Sequence, residues 1–494
     1  MKAKILFFSA ITVCIAVFVS CSFHPELDKP SPVPLSPPLA LERHEELALL
    51  HLEETHEVTP EVLQGQVNNF LAGNAAARGA GSPASAITGV RKFSTVLEDG
   101  FATTTSNSRS TDIVAEASEI PFYLFDIANP VEQTSGYALT CGDIRLPGVI
   151  AVVEDGEFED GDHPFLDIFY SNLAGYILET VEIYNSVTDE DIATAAEKQK
   201  ELIGEYRAFN DPKVLATLKP HDDPLVTKKT KWDQAVPYWD VINSIRGVPL
   251  SESSGKKVYT GCVATALAQI MAYHGKPAKP ASTIDGKTSF LDPYTKTTKT
   301  FANITYHWPQ IKEKPFAKDL SDQYKMEIGV LMHEVGKNIK TKYGTNGSGA
   351  TESDVVTGIT KMGYKKPSVH GYSLSKIQAS IDEKKPVYIG GFEYKVTSYS
   401  PIDIFKWFPQ TSYKGGHAWV IDNYQTHFYS STKKDEYVHC NLGWSDWYNY
   451  KNIDGWYLSG VFDVKKGPVA RSIAGTEDLF KYDLVIIPNI TPNS

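Results

Sequence analysis

Cysteine is scarce, at five in 494 residues. No two cysteines stand in a C-x-x-C spacing, so a zinc ribbon or a dithiol redox pair is excluded. There is no basic run, and Asp and Glu (60) outnumber Lys and Arg (48) for a net charge of −12. Phosphate binding needs clustered cations, so nucleic acid is excluded as a partner class. After the first 20 residues no stretch approaches the ~18 consecutive apolar residues of a spanning helix. His51-Leu-Glu-Glu-Thr-His56 and His333-Glu334 fall short of the H-E-x-x-H metal helix. Gly344-Thr-Asn-Gly-Ser-Gly349 lacks the lysine of a phosphate loop, with Ala350 in its place. No metal and no cofactor is therefore expected. What is present is 42% apolar and 22% charged, the balance of a folded chain, with length for two to four domains. Tyr and Trp gather toward the C-terminus and predict a packed, β-rich body there.

The chain divides by texture. Lys2 and Lys4 precede an apolar run from Ile5 to Val19, which reads as a signal peptide over 1–20. Phe18-Val-Ser-Cys21 is similar to a bacterial lipobox, which makes Cys21 the lipid-modified residue and 21–40, rich in proline, a tether. Helical periodicity over 41–72 breaks at Pro60, and 74–112 reads as a flexible Ala, Gly, Ser and Thr stretch. Strands are expected within 113–186, followed there by a helix over 164–185. Residues 187–231 read as a charged linker ending in Thr227-Lys-Lys-Thr-Lys231, a natural cut site. The expected domains are thus 41–229 and 230–494.

The chemistry sits in the second domain. Tyr259-Thr-Gly-Cys262 leads into Val-Ala-Thr-Ala-Leu-Ala-Gln-Ile-Met-Ala-Tyr-His274, a helix apolar on nearly every side and stopped by Gly275 and Pro277. Cys262 stands at its N-terminus, where unpaired N–H groups and the helix dipole favour a thiolate nucleophile. The base must be distant in sequence, and Gly415-Gly416-His417 opening an alternating strand supplies it. His439-Cys-Asn-Leu-Gly-Trp444 offers Asn441 to orient the ring of His417. Trp232-Asp-Gln-Ala-Val-Pro-Tyr238 offers the Gln234 amide which, with the Cys262 N–H, would form an oxyanion hole. An odd number of cysteines past the signal and lipid positions (Cys141, Cys262, Cys440) leaves at least one thiol free.

These segments, in this order, resemble the streptopain family of papain-like cysteine proteases. The likeness extends to Met332-His-Glu-Val-Gly336, Ser348-Gly-Ala350, Pro386-Val-Tyr388 and the upstream Gly136-Tyr-Ala-Leu139, over roughly 115–465. The resemblance implies an α+β fold, with a papain-like catalytic domain (a central helix against an antiparallel sheet) preceded by an α+β inhibitory prodomain. It implies Cys262 as nucleophile, His417 as base and Gln234 as oxyanion donor. It places Gly416 and Ser348 in the substrate cleft, and Asn441 and Trp444 in the loop beside the histidine. Where the family commonly has tryptophan this chain has Leu442, which is expected to alter a cleft wall.

The expected function is a cysteine endopeptidase made as a zymogen, exported and lipid-anchored at an outer membrane or cell surface. Its partners would be protein or peptide substrates, its own prodomain as inhibitor, and the membrane through its lipid. The alternatives are an amidase or deamidase on the same fold and a non-catalytic surface binding protein.

Overall fold

The computed structural model describes residues 41–78, 85–94, 111–158, 164–205, 216–218, 223–345, 348–392, 394–399, 409–414, 416–428, 434–444, 452–464, 469–473, 476–480 and 483–493. The signal, the tether and Cys21 lie outside them.

Four strands of alternating β-branched and aromatic residues open the fold: β1 (Ala86–Ser94), β2 (Pro121–Asn129), β3 (Thr134–Cys141) and β4 (Val149–Val153). Each pairs antiparallel with the next. Helices Pro60–Arg78 and Pro164–Ser186 accompany them. Pro60 begins its helix, where the missing N–H costs nothing. Five further strands and a short bridge complete the sheet: β5 (His370–Gly371), β6 (Val387–Phe392), β7 (His417–Phe428), β8 (Lys434–Asn441), β9 (Gly455–Leu458) and β10 (Asp483–Ile487). The spatial order is β1-β2-β3-β4-β9-β8-β7-β6-β10-β5, with Ala216–Leu218 also pairing to β7. The join between the halves is β4 to β9, with Trp456 opposite Val152 and Tyr457 opposite Ala151.

The two expected domains therefore share one sheet. They also share one core: Phe165, Ile168 and Phe169 of the long helix pack with Trp419, Tyr457 and Phe462. Phe165 meets Trp419 at 5.3 Å and Tyr457 at 4.9 Å between ring centroids, both edge to face. A second core lies on the opposite side of β6 and β7. There the helix Cys262–His274 is packed between β7 and the helix Asp322–Asn338. This is the α+β arrangement expected, with a central helix against an antiparallel sheet.

Three readings of the sequence change. Residues 86–94, read as flexible, form β1, because their partner β2 satisfies every other backbone group along them. Residues 189–205, read as linker, form a helix with Asp189, Glu190 and Asp191 in its first turn. The segment 225–231 is no loose linker. The Asp422 carboxylate accepts the N–H groups of Val226 (3.1 Å) and Thr227 (2.8 Å) and the Thr227 hydroxyl. Asn441 donates to the Thr230 carbonyl at 2.8 Å. These bonds build 225–231 into the catalytic body, so its first held residue lies upstream of the expected boundary at 230.

Candidate active site

Cys262 is the first residue of its helix, as the sequence predicts, and Gly261 is the N-cap. Gly261 has φ +94°, and a Cβ there would lie 2.7 Å from the carbonyl oxygen of Ser348. Only glycine suits both the angle and the contact. Ser348 is pinned on the same side: its hydroxyl donates to the Tyr259 carbonyl at 2.9 Å and accepts the Gly344 N–H at 3.0 Å. Gly416, before the histidine, has φ +120° and is exposed.

The Cys262 thiol is partly exposed and unbridged, and Cys141 and Cys440 are buried and free. The backbone N–H groups of Ala418 and Val263 face it and favour its charged form. The first of these belongs to the residue after His417, so β7 brings the strand of His417 to Cys262. These donors favour the thiolate, yet burial outweighs them and holds the thiol above its ordinary value. This differs from the expectation of a lowered thiol. The helix terminus contributes as expected, but an enclosed site penalises the charge more.

His417 is 3% exposed, and burial pulls its imidazole down to about 4. Its Nε2 lies 2.7 Å from the Leu442 carbonyl oxygen. A carbonyl can only accept, so Nε2 carries the proton, and in the neutral ring Nδ1 is the basic nitrogen. The rings of Trp419 (5.9 Å) and Trp444 (6.1 Å) flank the imidazole. With the thiol raised and the imidazole lowered, Cys262 and His417 both rest neutral at pH 7 in the full chain.

Asn441 does not orient His417. Its amide accepts from Gln269 Nε2 at 2.9 Å and donates to Thr230, tying the helix of Cys262 to the segment 225–231. The acceptor for the histidine is the next residue's backbone. Leu442 also departs from its expected place: its side chain is 1% exposed and packs in the shared core, so it is no cleft wall. A small aliphatic group fills a space enclosed on every side, and only the carbonyl of the residue reaches the site.

Gln234 is 3% exposed, and its side-chain Nε2 has no hydrogen-bond partner. Its own carbonyl accepts the Thr260 N–H at 3.0 Å and the Thr260 hydroxyl at 3.2 Å, which sets it beside the residues leading to Cys262. Asp233 accepts the N–H groups of Gln234 and Ala235, which fixes this turn. An orphaned buried amide donor is costly unless a ligand oxygen completes it.

Sequence reasoning passed over three groups. Gln269 lies seven residues after Cys262 on an otherwise apolar helix, and that lone polar position was the available signal. Asp422 and His439 form a buried pair, Oδ1 to Nδ1 at 2.7 Å. Asp454 accepts the Leu442 N–H at 2.7 Å. Nothing in the linear spacing marks the last two. Among the described residues no group of His, Cys, Asp and Glu is arranged to hold a metal ion. No described helix is long and apolar enough to cross a membrane.

Comparison with known proteins places this geometry. Residues 232–457 match the peptidase C10 family. Streptopain of Streptococcus pyogenes is 26% identical over 376 residues, covering 73% of this chain and 80% of streptopain. The thiol protease/hemagglutinin PrtT of Porphyromonas gingivalis is 25% identical over 343 residues. That match covers 67% of this chain, which spans about a third (34%) of the length of PrtT. A solved fragment of prointerpain A from Prevotella intermedia aligns over 76% of this chain and 96% of its own, at 18% identity and a TM-score of 0.44. The matched segment includes Gln234, Cys262, His417 and Leu442, and over it the chain is similar to the peptidase C10 family, with streptopain-type cysteine peptidases as the relatives found.

Proposed function

We propose that this chain is an exported endopeptidase made in a latent form, with Cys262 as nucleophile and His417 as base. Three features support the reading: a helix-start thiol, a histidine whose Nε2–H is committed to a carbonyl, and a buried amide donor with no partner. His417 Nδ1 takes the Cys262 proton, and the sulfur attacks a peptide carbonyl carbon. Gln234 Nε2 and the Cys262 N–H receive the oxyanion. His417 returns the proton to the leaving amine as the C–N bond breaks, and water then hydrolyses the thioester. Gly416 and Ser348 border the cleft that holds the peptide, and Trp444 screens the histidine.

The N-terminal body acts as the inhibitor. It supplies β1–β4 and the long helix to the shared core, which packs against Trp419 on the strand of His417. Lys231 pairs with Asp155 of that body at 2.9 Å, and Asn452 donates to the Asp155 carbonyl at 2.7 Å. Residues 1–20 direct export, and Cys21 carries lipid that anchors the protein to a membrane. The test is hydrolysis of denatured casein by the wild type, Cys262→Ser and His417→Ala. Activity that survives in either variant overturns the assignment. Metabolic labelling with a radioactive fatty acid, lost in Cys21→Ala, tests the anchor.

A further inference from the structure

We propose that Asp454 is the positioning residue of the catalytic base, acting through the loop that carries Leu442. This rests on the reading of His417 as base. The geometry is a chain of short bonds. His417 Nε2–H donates to the Leu442 carbonyl at 2.7 Å, and the Leu442 N–H donates to Asp454 Oδ1 at 2.7 Å. Asp454 is itself held, its N–H donating to Asn452 Oδ1 at 3.1 Å. Both ends of residue 442 are thereby fixed, the amide by a carboxylate and the carbonyl by the imidazole.

The need for such a residue follows from the loop's composition. Gly443, next in the chain, has φ +69° and brings freedom rather than restraint. The Asn441 amide is spent on Gln269 and Thr230. No other side-chain bond to the backbone of residue 442 is present among the described residues. Without Asp454 the carbonyl would be free to turn from Nε2–H, and the ring would lose the acceptor that selects its tautomer. That acceptor also strengthens Nδ1 as a base, because it stabilises the imidazolium. Burying a carboxylate at 7% exposure is costly, which makes a purely space-filling role uneconomical. Its charged surroundings are Lys231, His439 and Asp422.

Asp454→Ala and Asp454→Asn, made as the full chain and assayed after processing, test the proposal, with Cys262→Ser as a blank. Asn keeps an oxygen for the Leu442 N–H and Ala does not. For Asp454→Ala, kcat on a peptide substrate should fall about 10- to 100-fold with KM little changed. The alkaline limb of its pH–rate profile should move to lower pH, because His417 loses the bond that raises its basicity. Asp454→Asn should stay within about threefold of wild type, with the limb unmoved. If Asp454→Ala does not fold, Asp454→Ser replaces it, being polar but too short to reach. A folded Ala or Ser variant with wild-type kcat and an unmoved limb overturns the proposal, as does an Asn variant as impaired as Ala. A processed wild type that is inactive, or active without His417, overturns the parent reading instead.

Discussion

Gln234 allows catalysis and stability to be separated by one substitution. Its Nε2 is buried and has no partner, so the resting fold gains nothing from the amide. Removing an oxyanion donor typically costs about 100-fold in kcat. Gln234→Ala should therefore lose about that factor while the melting temperature stays level or rises, as kinetics and calorimetry on one preparation would show. A falling melting temperature with unchanged kcat would place the residue in packing alone. The ionisation of Cys262 offers a second handle. Burial raises the thiol and lowers His417 to about 4, so at pH 7 neither is charged in the full chain. The rate of iodoacetamide alkylation of Cys262 should then climb only above the ordinary thiol range. Processed protein, with its ion pair able to form, should react on a plateau through neutral pH. Mass-spectrometric rates across pH 5–10 check this, and identical profiles would remove burial as the cause of latency.

At the scale of elements, the helix Asp322–Asn338 carries a defect that can be measured. His333 is 2% exposed, neither ring nitrogen has a partner, and burial lowers it to about 4 from 6.5. Between those values the unfolded chain holds a proton that the folded chain does not. Stability thus falls as pH drops from 6.5 toward 4 and is unaffected by this group above 6.5. His333→Met should stabilise the protein by about 1–3 kcal/mol and lessen the loss on acidification, read by urea unfolding at pH 7 and pH 5. The segment 225–231 makes a different prediction. Asp422 holds the backbone of Val226 and Thr227, so a cut among Thr227–Lys231 would release an anchor of the catalytic body. The activating cut should fall upstream of Asp223. N-terminal sequencing of the processed protein locates it, and a new terminus at 228–232 would show that the anchor is dispensable.

Among the described residues one large sheet and one core run through both halves of the molecule, and this shapes how latency ends. Val152 and Ala151 pair with Trp456 and Tyr457, and Phe165 is enclosed by Trp419 and Tyr457. One chain cleavage breaks a covalent link and leaves all of these contacts in place. The nicked halves should co-elute on gel filtration, and activity should lag the nick until the N-terminal body is itself degraded. Full activity appearing at the rate of the nick would mean that the connection, rather than the shared core, restrains the enzyme.

Chemistry with a local cause was legible in the residues. A cysteine at the start of an apolar helix, a glycine pair before a histidine and an amide upstream need only short-range reasoning, so Cys262, His417 and Gln234 could be singled out from the residues alone. The central helix and the helix near 164–185 were equally readable, because their apolar spacing depends on their own residues. The orientation of His417 was not readable. Asn441 has the right chemistry, but Gln269 and Thr230 compete for its amide, and only packing decides which partner is near. Leu442 looked like a cleft residue because its neighbours were read so, yet its side chain lies in the shared core and its carbonyl faces the imidazole. Asp454 and the sign of the thiol shift belong to the same class. Burial is a sum over elements distant in sequence, so a tertiary structure was needed to show that enclosure outweighs the helix terminus at Cys262.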